Sequence, residues 1–108
     1  MNRINLGEFE ELVLLTAAIL HQDAYGISVM NEIMNQTDRK INISAVHTAL
    51  DRLEQKGLLK SYLGGATKER GGRRKRYFNI STLGVNTLQE ARDLRNALYN
   101  QIPSAVFN

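Results

Sequence analysis

The chain has 108 residues and is 43% hydrophobic, which is enough for one domain with a modest core and too short for two. It has no cysteine and only two histidines, which excludes disulfides, cysteine-rich zinc sites and thiol nucleophiles and predicts neither a metal nor a cofactor. Within a formal charge of +3, residues 68–76 carry +5 and the rest −2, which indicates an anionic partner at one place on the surface.

The first predicted element is a helix over residues 7–20, GEFEELVLLTAAIL. Its apolar residues run almost all the way round, so it needs cover on every side, either from a second copy of the chain or from the monomer itself. It is shorter than the roughly 20 apolar residues of a membrane helix, and no other window approaches that length. Because the start MNRINLGEFEELV lacks the layout of a secretory signal, we expect a cytoplasmic protein.

A second helix is predicted over residues 25 to about 36, with Asp23 as its N-cap. Gly26 is unusual in its first turn. Glycine costs about 1 kcal/mol relative to alanine inside a helix, but it lets another backbone or a phosphate approach the helix N-terminus. We expect its inward face to be formed by Ile27, Met30, Ile33 and Met34.

The third helix has the clearest pattern in the chain. After an extended piece at residues 40–43, Ser44 is its predicted N-cap and Gly57 its C-terminal stop. Val46, Leu50 and Leu53 form a buried stripe at spacings of four and three. The opposite side is polar and consists of Ser44, His47, Thr48, Asp51, Arg52 and Gln55.

Two alternating segments, residues 58–63 and 77–80, predict a β-hairpin. Their connector, about residues 65–74, is longer than usual hairpin loops and carries four of the six basic residues of the 68–76 stretch, which favours a functional role. A fourth helix follows from an N-cap at Ser81 or Thr82 to about residue 101, before Pro103. At about 30 Å long, its far half would overhang the domain, and its apolar side would need a partner.

An enzyme is not predicted. The glycines around the basic loop fail the phosphate-binding pattern G-x-x-x-x-G-K-[ST] in spacing, in residue type and because a strand follows instead of a helix. Carboxylate pairs lie where a solvated helix face expects them, and no Ser, His and Asp suggest a nucleophile. A disordered basic tail is also disfavoured, because strands flank the basic stretch on both sides.

The element order predicts a mainly α fold with a small β-hairpin: a winged helix-turn-helix DNA-binding domain at residues 1–81 and a C-terminal dimerisation helix with a short tail at residues 82–108, together forming one compact domain. The third helix would enter a major groove of double-stranded DNA and contact base edges through Ser44, His47, Thr48 and Arg52. The hairpin would grip the backbone or minor groove. Its predicted contacts are Lys68, Arg70, Arg73, Arg74, Lys75 and Arg76.

Other roles stay open for these residues. Ser44 could cap the helix, contact a base or do both, and His47 faces either solvent or DNA. The basic loop could be a solvated loop, and the fold could serve a dimeric protein-interaction adaptor that docks an acidic partner. For Arg52, an ion pair competes with a phosphate contact, and the acidic candidates are Asp51, Glu54 and Glu8.

Five segments in order resemble the PadR family of bacterial transcriptional regulators: LGEFEELVLL, AYGISVMNEI, ISAVHTALDRLEQKGLL, ERGGRRKRYFNIS and TLGVNTL. The resemblance covers about residues 6–88. It implies a homodimer, most often a repressor on a two-fold symmetric operator, with a small-molecule effector near the interface in many members. By motif position it also implies DNA contacts from Tyr25, from the Ser44, His47 and Thr48 face, and from Arg73, Arg74 and Lys75.

The resemblance further implies that the first and last helices form the dimer interface, here Phe9, Leu12, Leu15, Leu88, Ala91, Leu94, Leu98 and Ile102. The chain departs from the family at His47, where members often have tyrosine, which would make DNA binding sensitive to pH. The chain also ends soon after Ile102, so we expect no larger C-terminal domain and an effector pocket built from the dimer interface without tryptophan.

Overall fold

The computed structural model describes residues 4–64 and 74–108 of the chain, and its element order confirms the predicted winged helix-turn-helix followed by a long helix. Two short 3-10 turns, His21–Asp23 and Ser104–Phe107, accompany the main elements. The helices and strands are α1 (Glu8–Leu20), α2 (Gly26–Gln36), α3 (Ile43–Gln55), β1 (Leu59–Leu63), β2 (Arg76–Ile80) and α4 (Thr82–Tyr99).

The core lies where α1, α2 and α3 meet the hairpin. The predicted stripe of α3 is confirmed, since Val46, Leu50 and Leu53 are fully buried. Because these large residues recur on one side of the helix, that side of α3 faces the core. The other buried apolar residues are Val13, Leu14, Ala17, Ala24, Val29, Ile33, Ala49, Leu58, Leu59 and Phe78.

The predicted inward face of α2 is partly wrong. Ile33 is buried, but Ile27 is 49% exposed and Met34 is also exposed. The buried positions in the first half of the helix are Gly26 and Val29. Gly26 lies directly against the His47 ring of α3, so the buried face of α2 begins at a residue without a side chain, and Ile27 beside it faces solvent.

Two predicted helix caps are also wrong. α3 begins earlier than expected, because the Asn42 side chain accepts the Ala45 N–H at 2.8 Å and leaves Ser44 inside the first turn. Asparagine caps a helix as well as serine does, so both Asn42 and Ser44 were suitable N-caps, and the structure has Asn42 at that position. Asp23 belongs to a 3-10 turn, and the Tyr25 N–H before α2 is bound by the Ser28 hydroxyl at 2.9 Å.

The predicted hairpin is confirmed, and backbone hydrogen bonds fix its direction. Its strands pair antiparallel, with Leu59 opposite Ile80 and Leu63 opposite Arg76. The Phe78 N–H donates to the Ala24 carbonyl at 2.9 Å, just before α2. The hairpin, which we call the wing, is therefore held directly by the segment that starts α2.

The long final helix overhangs the core, as predicted. Ser81 caps α4 by accepting the Gly84 N–H, and its hydroxyl donates to the Gly57 carbonyl at 2.6 Å. Gly84 and Thr87 in the first half are buried, whereas every residue from Arg92 onward is exposed. The structure is correspondingly elongated, with extents of 61 × 34 × 20 Å.

Gly84→Ala is expected to lower the free energy of unfolding by about 1–3 kcal/mol. A Cβ at this position would overlap the Leu58 carbonyl oxygen and lie 2.7 Å from Ile80 Cγ1, so α4 would have to move off the wing. Urea titration measures the change. The control Asn86→Ala alters an exposed position two residues further along α4 and should stay within about 0.5 kcal/mol of the wild type; equal stability of the two variants would contradict the packing described here.

Candidate nucleic-acid interface

The exposed side of α3 carries the predicted base-contacting residues together. Ser44, His47, Thr48 and Arg52 are all exposed, on the side opposite the buried stripe. The His47 ring lies against the start of α2, where it closely approaches Gly26. This side of α3 therefore presents hydroxyl, imidazole and guanidinium groups, with the imidazole next to the first turn of α2.

Three tyrosines cluster where the loop end of the wing meets the start of α2. The Tyr77 ring stacks on Tyr62 at 5.6 Å between centroids and meets Tyr25 edge-on at 5.5 Å. The Lys75 ammonium lies 4.3 Å from the centroid of the Tyr25 ring, in a cation–π contact. Tyr25 at the start of α2 and Lys75 on the wing, predicted from separate parts of the chain, thus lie side by side.

Sequence reasoning missed Tyr62 and Tyr77. They are directly opposite in the hairpin register, and a cross-strand aromatic pair is a signal that the alternating pattern contained. Gly64 passes beside this pair, because a Cβ there would overlap the Tyr77 ring. The Gly64 N–H donates to the Lys75 carbonyl at 2.7 Å, so the backbone on both sides of the wing is paired up to this point.

The basic residues of the wing differ in their surroundings. Arg74 and Lys75 are exposed. Arg76 makes ion pairs with Asp51, at 3.1 Å, and with Glu54, both on α3. Lys68, Arg70 and Arg73 lie outside the described residues.

The ion pair considered for Arg52 is not formed with any of its three candidates. Asp51 and Glu54 pair with Arg76, and Glu8 pairs with Arg39. Arg52 therefore lies exposed on α3 and makes no ion pair within residues 4–64 and 74–108. Its neighbour Lys56 binds Glu10 at 2.7 Å, which lowers the pKa of that carboxyl.

Glu54 connects α3 to both strands of the wing. Its carboxylate accepts the hydroxyl and, at 3.3 Å, the N–H of Ser61 on β1, and it pairs with Arg76 on β2. The hydrogen bond from the Ser61 hydroxyl is the main cause that lowers the pKa of Glu54; partial burial opposes it and Arg76 adds to it. One side chain of α3 thus bonds to both strands of the wing.

Glu54→Gln is expected to lower the free energy of unfolding at pH 7 by about 1 kcal/mol, since the charge-assisted bonds to Ser61 and Arg76 are weakened. A carboxyl with a lowered pKa stabilises the fold fully above its unfolded value of about 4.3 and loses that contribution as the pH falls through the folded value. Urea titrations should therefore show the two proteins converging in stability from pH 5 downward. A difference independent of pH would contradict this.

Asp51→Asn is the matched control for Glu54. It removes one bond to Arg76 and touches neither strand otherwise. We expect it to cost less than half as much stability as Glu54→Gln.

Two further classes of site, metal centres and membrane spans, are absent from the described part of the chain. No group of three or more His, Asp or Glu residues there is arranged to hold a metal ion. None of the helices of residues 4–64 and 74–108 combines the length and apolar character that a membrane span requires.

Comparison with known proteins matches this geometry to one family. The model of the transcriptional regulator PadR-like family matches residues 14–90. A curated relative, an uncharacterized protein of Lysinibacillus sphaericus, is 33% identical over 86 residues, which cover 78% of this chain and 74% of the relative.

Solved structures show the same fold. A PadR family transcription regulator from hypervirulent Clostridium difficile R20291 superposes with a TM-score of 0.65 at 23% identity, covering 87% of this chain and 97% of that one. A PadR-like transcriptional regulator from Bacillus cereus gives 0.68 at 16% identity, with coverages of 85% and 84%. A padr family transcriptional regulator from Eggerthella lenta gives 0.66 at 23% identity, with coverages of 86% and 80%.

Proposed function

The chain belongs to the PadR-like family of transcriptional regulators, and we propose from this premise that it is a repressor that binds a two-fold symmetric DNA operator as a homodimer. The observation that carries the proposal is the fixed arrangement of α3 and the wing. Glu54 ties both strands of the wing to α3, next to the exposed polar side of that helix. A surface built in this way can meet a groove and the adjoining backbone at once.

In this proposal α3 enters the major groove. Ser44, His47, Thr48 and Arg52 are exposed and would contact base edges or the flanking phosphates. A hydroxyl group can pair with either a donor or an acceptor in that groove, and a guanidinium donates to acceptors. The buried stripe on the other side of α3 keeps this face turned outward.

The wing supplies the phosphate contacts. Arg74 and Lys75 are exposed and provide charge, and Tyr25 stands beside them at the start of α2. We assign the same role to Lys68, Arg70 and Arg73, which lie outside the described residues. Arg76 is given a positioning role instead, because its guanidinium is engaged by Asp51 and Glu54.

The homodimer is proposed from apolar surface that the monomer leaves uncovered. Leu15 is 42% exposed on α1, and Leu94, Leu98 and Ile102 are exposed on or just after α4. A second copy would bury these side chains. Of the other predicted interface residues, Phe9, Leu12 and Leu88 pack partly against the monomer core, and Ala91 is half-buried.

An effector site is part of the proposal. A groove of about 330 Å³ lies between the segment before α1 and α4, within the size range of small-molecule sites. Its lining combines Leu6, Ala91 and Leu94 with the charged pair Glu11 and Arg95. It adjoins the proposed dimer surface, so occupancy could change how two copies meet. The protein would act in the cytoplasm, without a catalytic step or a cofactor.

Selection of genomic fragments by the purified protein tests the proposal. We expect enrichment of one inverted repeat, with half-sites about one helical turn apart. A His47→Ala, Thr48→Ala variant, which keeps the wing, should lose that enrichment while retaining weak binding to any duplex. Absence of an enriched sequence for the wild type would overturn the DNA-binding role and favour the adaptor that docks an acidic protein.

A further inference from the structure

Gly26, the first residue of α2, is covered by the ring of His47 from α3. A Cβ built on Gly26 would lie 2.5 Å from Cε1 of His47, 3.1 Å from Nε2 and 3.2 Å from Nδ1. Real Cβ atoms essentially never show contacts under 3.0 Å. The edge of the imidazole that carries Cε1 therefore rests on the backbone of α2, and any side chain at position 26 would displace it.

The backbone conformation does not account for a glycine here. Gly57 is the one glycine with a positive φ in residues 4–64 and 74–108, so position 26 has a conformation open to any residue. A glycine inside a helix is less favourable than alanine. What distinguishes Gly26 is therefore the space that it leaves for His47.

The backbone at Gly26 is also held firmly on the side of the wing. The Ser28 hydroxyl accepts the Tyr25 N–H and donates to the Asp23 carbonyl, which fixes the turn into α2. The Ala24 carbonyl accepts the Phe78 N–H of β2. A ring seated on Gly26 is therefore placed relative to α2, α3 and the wing at the same time.

We propose that Gly26 is a positioning residue that sets where the His47 imidazole stands on the DNA-facing side of α3, and so sets the operator specificity contributed by His47. The inference rests on the proposed DNA-binding function. Gly26 itself need not touch DNA. Because Gly26 has no side chain, the His47 ring can pack directly against the backbone of α2. This packing determines the position of the ring.

The test is a four-protein cycle made of the wild type, Gly26→Ala, His47→Ala and the double variant. Affinity for the enriched operator and for an unrelated duplex is measured by fluorescence anisotropy. We expect each single variant to lower operator affinity about 10-fold, the size of one lost base contact, with little change on the unrelated duplex. In the double variant, Gly26→Ala should add less than about a twofold change, because the new methyl group no longer meets a ring.

An equal loss from Gly26→Ala in both backgrounds, or no loss in either, would overturn the inference. Folding is checked separately: the His47 side chain is exposed and can move away from the new methyl group, so the thermal midpoint of Gly26→Ala should stay close to that of the wild type. If the wild type itself prefers no sequence, the proposed function fails, and the single variants then show no operator effect to compare.

A second measurement needs no DNA. The Hε1–Cε1 NMR signal of His47 in the free protein should shift in Gly26→Ala, because that edge of the ring faces the new methyl group. His21, the other histidine, is exposed and lies outside this contact, so its signal is the internal control and should stay in place. An unmoved His47 signal would overturn the positioning role even if DNA binding is confirmed.

Discussion

Replacing Arg74 and Lys75 together with glutamine is expected to lower operator affinity about 10- to 100-fold near physiological salt. Each lost phosphate contact removes the release of roughly one counterion, so the slope of log K against log salt should become shallower by about 2. Both residues are exposed at the loop end of the wing, just before β2. Anisotropy titrations over a series of salt concentrations measure affinity and slope in the same experiment.

Arg92→Gln is the control for charge alone. Arg92 is exposed on α4 and pairs with its neighbour Asp93, away from the wing and α3. Its loss should leave the slope unchanged, whereas each charge removed from the wing should change it by about 1. A wing variant with the wild-type slope would show that these cations contact no phosphate and would overturn the role assigned to the wing.

The distinction among the wing cations could not be drawn from the sequence. Arg74, Lys75 and Arg76 are consecutive, and composition treats them alike. Only the tertiary structure shows that Arg76 reaches Asp51 and Glu54, which precede it by 25 and 22 residues. Asp51 and Glu54 were also candidate partners for Arg52. Spacing along the chain does not show that the Arg76 guanidinium, from another element, pairs with them instead.

The elements themselves were largely predictable, for identifiable reasons. α3 carries large apolar residues at regular spacing, and the hairpin strands alternate cleanly, so periodicity fixed both. The buried face of α2 was predicted partly wrongly because it includes Gly26 and Val29. These residues contribute less to a hydrophobic pattern than Ile27 and Met34, which are exposed. Close packing between helices favours small residues at contact points, and a pattern of hydrophobicity alone does not record it.

The cap of α3 and the tyrosine cluster illustrate two different limits. At the cap, Asn42 and Ser44 are both good candidates two residues apart, so the choice depends on tertiary packing. In the cluster, Tyr62 and Tyr77 become partners only once the hairpin register is known. Tyr25 joins them from the start of α2, so an aromatic contact that no single segment contains links α2 to the wing.

Replacing both Leu94 and Leu98 with aspartate is expected to convert the protein from a dimer to a monomer. Their side chains are 43% and 57% exposed in the isolated chain and lie on the half of α4 that extends past the core. The variant should therefore fold normally, whereas burying four carboxylates between two copies costs several kcal/mol. Light scattering at micromolar concentration should give the mass of one chain, 12.2 kDa, instead of twice that mass for the wild type.

The same variant separates affinity for a half-site from affinity for the full operator. Two linked winged helices bind two half-sites with an advantage of roughly 10²- to 10⁴-fold over one, because the second contact becomes intramolecular. We expect Leu94→Asp, Leu98→Asp to lose that advantage on the inverted repeat while keeping the wild-type affinity for an isolated half-site. The control Asn86→Asp adds a charge to an exposed position on the first half of α4 and should remain dimeric. A wild-type protein with the mass of one chain would contradict the homodimer directly, and a dimeric double variant would place the interface elsewhere on the chain.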